Sequence, residues 1–119
     1  MSWQFNDKEP VFVQIEKRLR AEIVNGRYLP DSQIPTVRQL ATEISVNPNT
    51  VQRALTVLVE EGLVVSRGTV GRFVTGDPLI ISEARRATVT EAMRGWLSEA
   101  YSLGITKEEL LEFISKEEI

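Results

Sequence analysis

The chain has 119 residues and contains neither cysteine nor histidine, which excludes disulfide and thiol chemistry and removes the commonest general base and metal ligand. Hydrophobic residues make up 42% of the sequence, enough for the core of one small domain with an appended helical piece. No apolar run approaches the length of a membrane span, and the N-terminal residues lack the pattern of a secretory signal. We therefore expect a cytoplasmic protein that is not an enzyme and holds no metal or cofactor.

The formal charge of −3 is unevenly distributed along the sequence. Residues 1–75 hold 9 Lys and Arg against 8 Asp and Glu, whereas residues 76–119 hold 5 against 9. Because the local placement of arginines matters more for phosphate contact than the charge of the whole chain, the N-terminal part is compatible with nucleic-acid binding. Its nearly neutral balance is also compatible with a module that binds another protein.

The first predicted helix begins near Pro10 and ends near Gly26, which suits the left-handed position after a helix end. Its apolar residues recur at helical spacing and are expected to pack as core. They are Val11, Phe12, Ile15, Leu19, Ile23 and Val24. For the preceding Trp3 and Phe5, packing on this helix is favoured over contact with a second subunit. In the connector that follows, Gln33-Ile34 predicts a brief strand pairing.

The central stretch of the chain predicts two helices joined by a tight turn. Thr36 followed by Gln39 is a capping-box pattern, and Asn47 followed by Pro48 is a favourable start for the second helix, which Gly62 ends. The apolar stripes are Val37, Leu40, Ala41 and Ile44, then Val51, Ala54, Leu55, Leu58 and Val59. This pattern fits either a helix-turn-helix or an ordinary helical hairpin, and the flanking segments favour the first.

A short β-hairpin is predicted after the second of these helices. Strands at residues 63–65 and 72–75 flank a glycine-containing turn at residues 66–71. A hairpin in this place is a wing, and Arg67 and Arg72 supply positive charge near its tip. The alternatives are a solvated edge for the two arginines and plain turn geometry for the glycines.

The segment Gly76-Asp77-Pro78 interrupts the pattern and predicts a boundary between domains at residues 1–75 and 76–119. In the second domain, which we call the tail, we expect a long helix over residues 82–103. A second capping box at Thr106 opens a shorter helix.

The tail helices bury little apolar surface alone, so we expect them to form an antiparallel bundle with the same pair from a second subunit. The residues expected in this dimer interface are Met93, Trp96, Leu97, Tyr101, Leu110, Phe113 and Ile114. Two alternatives remain. The helices fold back on the first domain, or Met93 and the three aromatic residues of this set line a pocket for an unknown small-molecule effector.

The segment at residues 10–75 resembles the winged-helix domain of the GntR family of bacterial transcription regulators. The matching motifs are PVFVQI, IPTVRQLA, VNPNTVQRAL and RGTVGRFV. The short tail is similar to that of the YtrA-like branch. The resemblance implies a mainly α fold with a small β-hairpin wing: a winged helix-turn-helix followed by a two-helix dimerisation tail. It also implies a homodimeric, DNA-binding regulator of the repressor type.

The resemblance assigns several residues to DNA contact. Arg38 matches an arginine of the family that contacts DNA from the first helix of the motif. Asn47, Asn49 and Thr50 match the start of the recognition helix, and Gly68 matches the tip of the wing.

The recognition helix also departs from the family pattern. Pro48 and Gln52 stand where other branches often have arginines, so base readout is expected to lean on Gln52, Arg53 and the asparagine after Pro48. The alternatives for Arg53 are an ion pair with Glu60 or Glu61 and a place on a solvated face. The full predicted DNA-binding set is Arg38, Asn47, Pro48, Asn49, Thr50, Gln52, Arg53, Arg67 and Gly68.

The predicted function is sequence-specific binding of a near-palindromic, double-stranded operator by a homodimer. Its two recognition helices would enter major grooves about 34 Å apart. Phosphates are expected to be held by side chains and by backbone N–H groups at the start of the recognition helix. The alternative is a winged-helix module that binds protein and no operator.

Overall fold

A computed structural model gives the structure of the protein and describes residues 3–116. Its elements are α1 (Val11–Val24), α2 (Val37–Ile44), α3 (Pro48–Glu60), β1 (Val64–Arg67), β2 (Gly71–Val74), α4 (Pro78–Ser102) and α5 (Lys107–Ser115). The predicted fold class is confirmed, because the described residues form a mainly helical structure with a two-stranded antiparallel hairpin. Every helix in this part of the chain is too short or too polar to span a membrane.

The chain forms two compact units that divide after Arg85. The first unit holds α1 to α3, the hairpin and the start of α4, and the second holds the rest of α4 together with α5. The assignment of separate roles to residues 1–75 and 76–119 stays a prediction.

The core of the first unit is built around α3, which packs against α1, α2 and β1. Its fully buried side chains include Ile15, Leu19, Leu40, Val51, Leu55, Leu58, Val64 and Val74. Removing each such side chain from water contributes roughly 1.5–3 kcal/mol. Trp3 and Phe5 pack against this core, and Arg18 of α1 lies over the Trp3 ring, 4.9 Å from its centroid. The prediction that an aromatic of this segment packs on the first helix is confirmed for Trp3.

The helix starts of the helix-turn-helix have the predicted caps. Thr36 Oγ1 accepts from the N–H of Gln39 at 3.1 Å, and Gln39 Oε1 accepts from the N–H of Thr36 at 2.8 Å. Asn47 Oδ1 accepts from the N–H of Asn49 at 2.8 Å, and Pro48 occupies the first turn of α3. These caps join residues two or three positions apart in sequence, which is why the pattern identified them.

The turn between α2 and α3 contains a left-handed residue that the sequence pattern did not indicate. Ser45 has a φ of +57°, and the N–H of Val46 donates to the carbonyl of Ala41 at 3.0 Å. This backbone bond ends α2 and turns the chain toward α3. Gly62, with a φ of +81°, follows the end of α3 as predicted.

The hairpin turn is shorter than the predicted loop at residues 66–71. β1 begins one residue after Leu63 and continues through Arg67, which pairs with Gly71. The N–H of Val70 donates to the carbonyl of Arg67 at 3.0 Å and closes the turn. The predicted strand limits were therefore wrong, because this tight turn lets pairing continue into residues that have turn-like composition.

The connector before α2 adds a bridge to the hairpin. Gln33 pairs with Phe73, and the N–H of Ile34 donates to the carbonyl of Arg72 at 3.0 Å. The brief pairing predicted at these two residues is confirmed.

The first tail helix begins at Pro78 and not at Ser82. Asp77 Oδ1 accepts from the N–H of Leu79 at 2.9 Å, so Asp77 caps the helix and Pro78 occupies its first turn. The sequence interpretation treated this proline as a break, but its fixed φ also suits a helix start. The capping box at Thr106 is confirmed.

Candidate nucleic-acid interface

The start of α3 presents an exposed polar face while the rest of the helix is anchored in the core. Asn47, Pro48 and Asn49 are exposed, and Thr50 is half-buried. One helical position further, Val51 is fully buried. Since α3 is held by its buried stripe, the polar side chains at its start are presented on a rigid element.

The backbone N–H groups at this end of α3 already have acceptors. The side chain of Asn47 takes the N–H of Asn49, and its carbonyl accepts from the N–H groups of Thr50 and Val51 at 3.0 and 3.3 Å. Pro48 has no N–H. The expectation that backbone N–H groups of α3 hold phosphates is therefore wrong for this structure, because the cap uses the same donors.

The start of α2 offers a different arrangement. Arg38 is exposed in the first turn of this helix. Within residues 3–116, the N–H groups of Val37 and Arg38 have no hydrogen-bond acceptor, whereas those of Thr36 and Gln39 are used by the capping box. A cationic side chain beside free N–H groups at a helix start suits an anion such as a phosphate.

The outer face of the hairpin holds Arg67 in place. Its guanidinium carbon lies 4.4 Å from the centroid of the Phe73 ring, and its Nη2 lies 3.6 Å from Asp31 Oδ1. The side chain is about half exposed. Gly68 follows at the exposed hairpin turn. The wing therefore presents a stacked guanidinium next to its tip.

The inner face of the hairpin reaches α3 through a contact that the sequence interpretation missed. Arg72 Nη2 donates to Gln52 Oε1 at 3.1 Å. Arg72 lies on the same face of β2 as the fully buried Val74, because alternate residues of a strand share a face. That alternation was the available signal, and it places Arg72 toward the helices.

Arg53 has a partner other than the glutamates considered for it. Its guanidinium carbon lies 3.8 Å from the centroid of the Phe12 ring on α1. Glu61 instead accepts from Arg20 of α1 at 3.0 and 2.6 Å. The cation–π contact fixes the stem of Arg53, and the residue stays exposed on α3.

In the second unit, most of the predicted interface residues are exposed. Met93, Trp96, Tyr101, Phe113 and Ile114 are between 42 and 52% exposed, and Leu97 is half-buried. Leu110 is buried within the unit, at 6% exposure. It lines a groove of about 380 Å³ with Trp96, Glu99, Ala100, Leu103, Ile105 and Phe113. The groove contains two of the four residues suggested for an effector pocket.

Comparison with known proteins places this chain in a family. The model of the family described as bacterial regulatory proteins, gntR family, matches residues 12–74. The chain belongs to the GntR family. The match extends from α1 to the end of β2, so the resemblance drawn from the sequence motifs is confirmed.

Two proteins of Bacillus subtilis (strain 168) are similar to this GntR chain beyond that segment. The uncharacterized HTH-type transcriptional regulator YhcF is 33% identical over 114 residues, which cover 96% of this chain and 94% of YhcF. The HTH-type transcriptional repressor YtrA is 28% identical over 108 residues, which cover 90% of this chain and 83% of YtrA. Both alignments are longer than the family match, so the similarity to YtrA includes part of the tail.

Solved structures of regulators share the fold. A GntR family transcriptional regulator from Listeria monocytogenes has a TM-score of 0.84 and 32% identity, covering 94% of this chain and 98% of that one. The structure of AraR(DBD) in complex with operator ORX1 has a TM-score of 0.57 and 28% identity, covering 63% of this chain and 95% of that one. These proteins are regulators and not enzymes. The GntR chain is accordingly a transcriptional regulator, as predicted.

Proposed function

We propose that this GntR regulator is a homodimeric repressor that binds a near-palindromic operator with the start of α3 and the wing. The observation that carries the proposal is the exposed polar start of α3, from Asn47 to Asn49. Two positions further along the same helix, Val51 is fully buried. A rigid helix that presents short polar side chains at its N-terminal end suits the major groove. The operator complexes of AraR(DBD) support DNA as the partner, and the repressor YtrA supports repression as the output. The protein would act in the bacterial cytoplasm, where the chromosome lies.

The contacts divide between phosphates and base edges. Arg38 holds a phosphate together with the free N–H groups at the start of α2, and Thr50 contacts a phosphate from α3. Asn49 and Gln52 face base edges. Arg67 and Gly68 contact the backbone of the neighbouring minor groove from the wing. The proposed set is completed by Arg53, which is stacked on Phe12 of α1. It also includes Asn47 and Pro48, which fix where α3 begins.

The tail brings a second DNA-binding unit to the operator by dimerisation. Its apolar residues are exposed on two helices that bury little else within the unit. We propose that Met93, Trp96, Leu97, Tyr101, Phe113 and Ile114 contact the same residues of a second chain. Leu110 lies beneath this surface and supports it. Closing the two tails together would also cover the groove beside Trp96, which is the place that a small-molecule effector would otherwise occupy.

Selection of bound duplexes from a random pool, at low ionic strength, tests this function. The proposal expects enrichment of an inverted repeat with half-site centres about 34 Å apart, or one helical turn. Sedimentation of the complex with the selected duplex should give two chains per duplex. Absence of any enriched sequence would overturn the proposal.

A module that binds protein remains the second candidate, and the net charge of −3 favours it. A chain of this kind would enrich no duplex. Its affinity for DNA, if measurable, would be equal for all sequences and would vanish at moderate salt.

A further inference from the structure

The hydrogen bond between the wing and α3 fixes the side-chain amide of Gln52. Arg72 Nη2 lies 3.1 Å from the amide. A guanidinium has only donors, so the amide atom that faces it is the carbonyl oxygen, Oε1. The donors of the guanidinium therefore determine which end of the amide faces Arg72.

The other end of the amide is held more weakly. Gln52 Nε2 lies 3.4 Å from Thr56 Oγ1, and that hydroxyl donates at 2.9 Å to the backbone carbonyl of Gln52. A contact of 3.4 Å is long for a hydrogen bond and is readily exchanged for a better acceptor. In Gln52, Oε1 thus accepts a hydrogen bond from Arg72, whereas Nε2 is available to donate one.

This state changes what Gln52 offers to a base. A free glutamine amide pairs with adenine, because it accepts from N6 and donates to N7. Arg72 takes one of the two lone pairs of Oε1 and places a cationic group of N–H donors beside it, so Gln52 and Arg72 together offer mainly donors to a base. Guanine presents two acceptors in the major groove, N7 and O6, and suits such a donor pair.

The position of the guanidinium is itself fixed by the hairpin. Arg72 shares a face of β2 with the fully buried Val74, and its Nε is buried without an acceptor among residues 3–116. The stem of Arg72 is therefore packed between the hairpin and the helices. A side chain held in this way keeps its guanidinium beside Gln52.

We infer that Arg72 is a specificity-determining residue that makes Gln52 select guanine over adenine. It does so by taking one lone pair of the Gln52 carbonyl and placing a cationic group of donors beside the amide. The inference rests on the DNA-binding function proposed above, and it adds a residue of β2 to the proposed readout.

Selection from a random pool by four forms of the full chain tests the inference: wild type, Arg72→Met, Gln52→Ala and Arg67→Met. Methionine keeps an unbranched stem and removes the guanidinium, so the packing is retained. Wild type should prefer guanine at one position of each half-site. Arg72→Met should shift that same position toward adenine, with the guanine-to-adenine ratio falling by at least about fivefold, the lower limit for one bidentate contact. Gln52→Ala should lose the preference at that position.

Arg67→Met is the matched control, since Arg67 lies on the opposite face of the same hairpin. It removes one positive charge from the wing and should weaken binding to all duplexes without moving a base preference. Thermal unfolding of each variant checks folding. Because Gln52 is exposed, Gln52→Ala tests the position-specific loss even if Arg72→Met does not fold.

Two results would overturn the inference while leaving operator binding intact. One is an unchanged guanine preference in Arg72→Met. The other is a pair of variants, Arg72→Met and Gln52→Ala, that alter different base positions. If wild type enriches no sequence, the proposed function fails and this inference fails with it.

Discussion

Among single side chains, Arg38 is expected to contribute most to phosphate binding. It is exposed beside the N–H groups of Val37 and Arg38, which have no acceptor among residues 3–116. Arg38→Ala should weaken binding to operator and to a scrambled duplex by similar factors, because a phosphate contact carries no sequence information. The slope of log K against log salt should fall by about 1. Fluorescence anisotropy at several salt concentrations measures both.

Arg86→Ala is the matched control for Arg38, because Arg86 is also exposed but lies in the second unit. It should leave the salt slope unchanged. If Arg38→Ala keeps the wild-type affinity and slope, the phosphate role of Arg38 is wrong.

Tyr28 makes the stability of the first unit sensitive to alkaline pH. Burial raises the pKa of the Tyr28 phenol above its ordinary value of 10.0, and the carboxylates of Glu22 and Glu43 add to the shift. Below pH 10.0 the phenol is protonated in both states, so its contribution to stability is complete there. As the pH rises from 10.0 toward the raised pKa, the unfolded chain loses its proton first and the free energy of unfolding falls.

Tyr28→Phe should remove this part of the alkaline loss. Denaturant unfolding at pH 9 and pH 11 measures it as the difference between the two free energies of unfolding. Tyr101→Phe, at an exposed tyrosine of the tail, should retain the loss. Equal losses in Tyr28→Phe and wild type would contradict the assignment to Tyr28.

At the scale of elements, the hairpin depends on a glycine at the start of β2. Gly71 has a φ of +132°, and a Cβ there would lie 2.5 Å from Gln33 Nε2, which donates to the carbonyl of Val70 at 2.9 Å. Gly71→Ala should therefore lower the free energy of unfolding by about 1–3 kcal/mol. Gly95→Ala is the control, because a Cβ at Gly95 in α4 meets nothing within 4 Å.

Gly95→Ala should raise stability by roughly 0.5–1 kcal/mol, as expected for alanine in place of glycine inside a helix. Thermal unfolding followed by circular dichroism compares the two variants. An unchanged midpoint for Gly71→Ala would contradict both the strain expected at this φ and the clash expected with Gln33.

The elements that the sequence predicted well are those set by neighbouring residues. The capping box at Thr36, the cap at Asn47 and the end of α3 at Gly62 each depend on residues within one helical turn. The start of α4 was missed for a related reason. Pro78 suits both a break and a first helical turn, and the bonds from Leu79 and Ile81 to Asp77 show that it begins the helix.

The contacts that the sequence did not predict join residues far apart in the chain. Arg72 reaches Gln52 from another element, and Arg53 stacks on Phe12 of α1. Composition and spacing identify these side chains as exposed candidates, but they do not say which groups face each other after folding. For the candidate site, the residue types were therefore accessible from sequence and their mutual arrangement was not.

At the scale of the whole molecule, dimerisation is expected to depend on the apolar surface of the tail. Trp96 is 44% exposed there and lines the groove of the second unit. Trp96→Gln should weaken self-association by roughly 2 kcal/mol or more, since buried tryptophans are frequent anchors of interfaces. Sedimentation velocity over a range of protein concentrations measures the dissociation constant.

Leu29→Gln is the control for Trp96→Gln. Leu29 is an apolar residue of the first unit with 63% exposure, and its replacement should leave the dissociation constant unchanged. A wild-type chain that stays a monomer at all concentrations would contradict the role given to the tail. So would a Trp96→Gln variant that dimerises as wild type does.

The proposed binding by two chains would connect the tail to the operator. Each first unit presents one α3 start, and an inverted repeat presents two half-sites. Loss of dimerisation should therefore lower the affinity for the operator more than the affinity for a scrambled duplex. Only the operator has two half-sites that the two chains of a dimer can bind at the same time.

Nuclear magnetic resonance of the ¹⁵N-labelled full chain, titrated with the selected operator duplex, shows whether the start of α3 and the wing bind the operator. The side-chain amide signals of Asn49 and Gln52 report on the exposed face of α3, and the backbone signals of Arg67 and Gly68 report on the wing. We predict that these signals shift strongly with operator and weakly with a scrambled duplex. Shifts confined to residues 86–116, or equal shifts with both duplexes, would contradict the account.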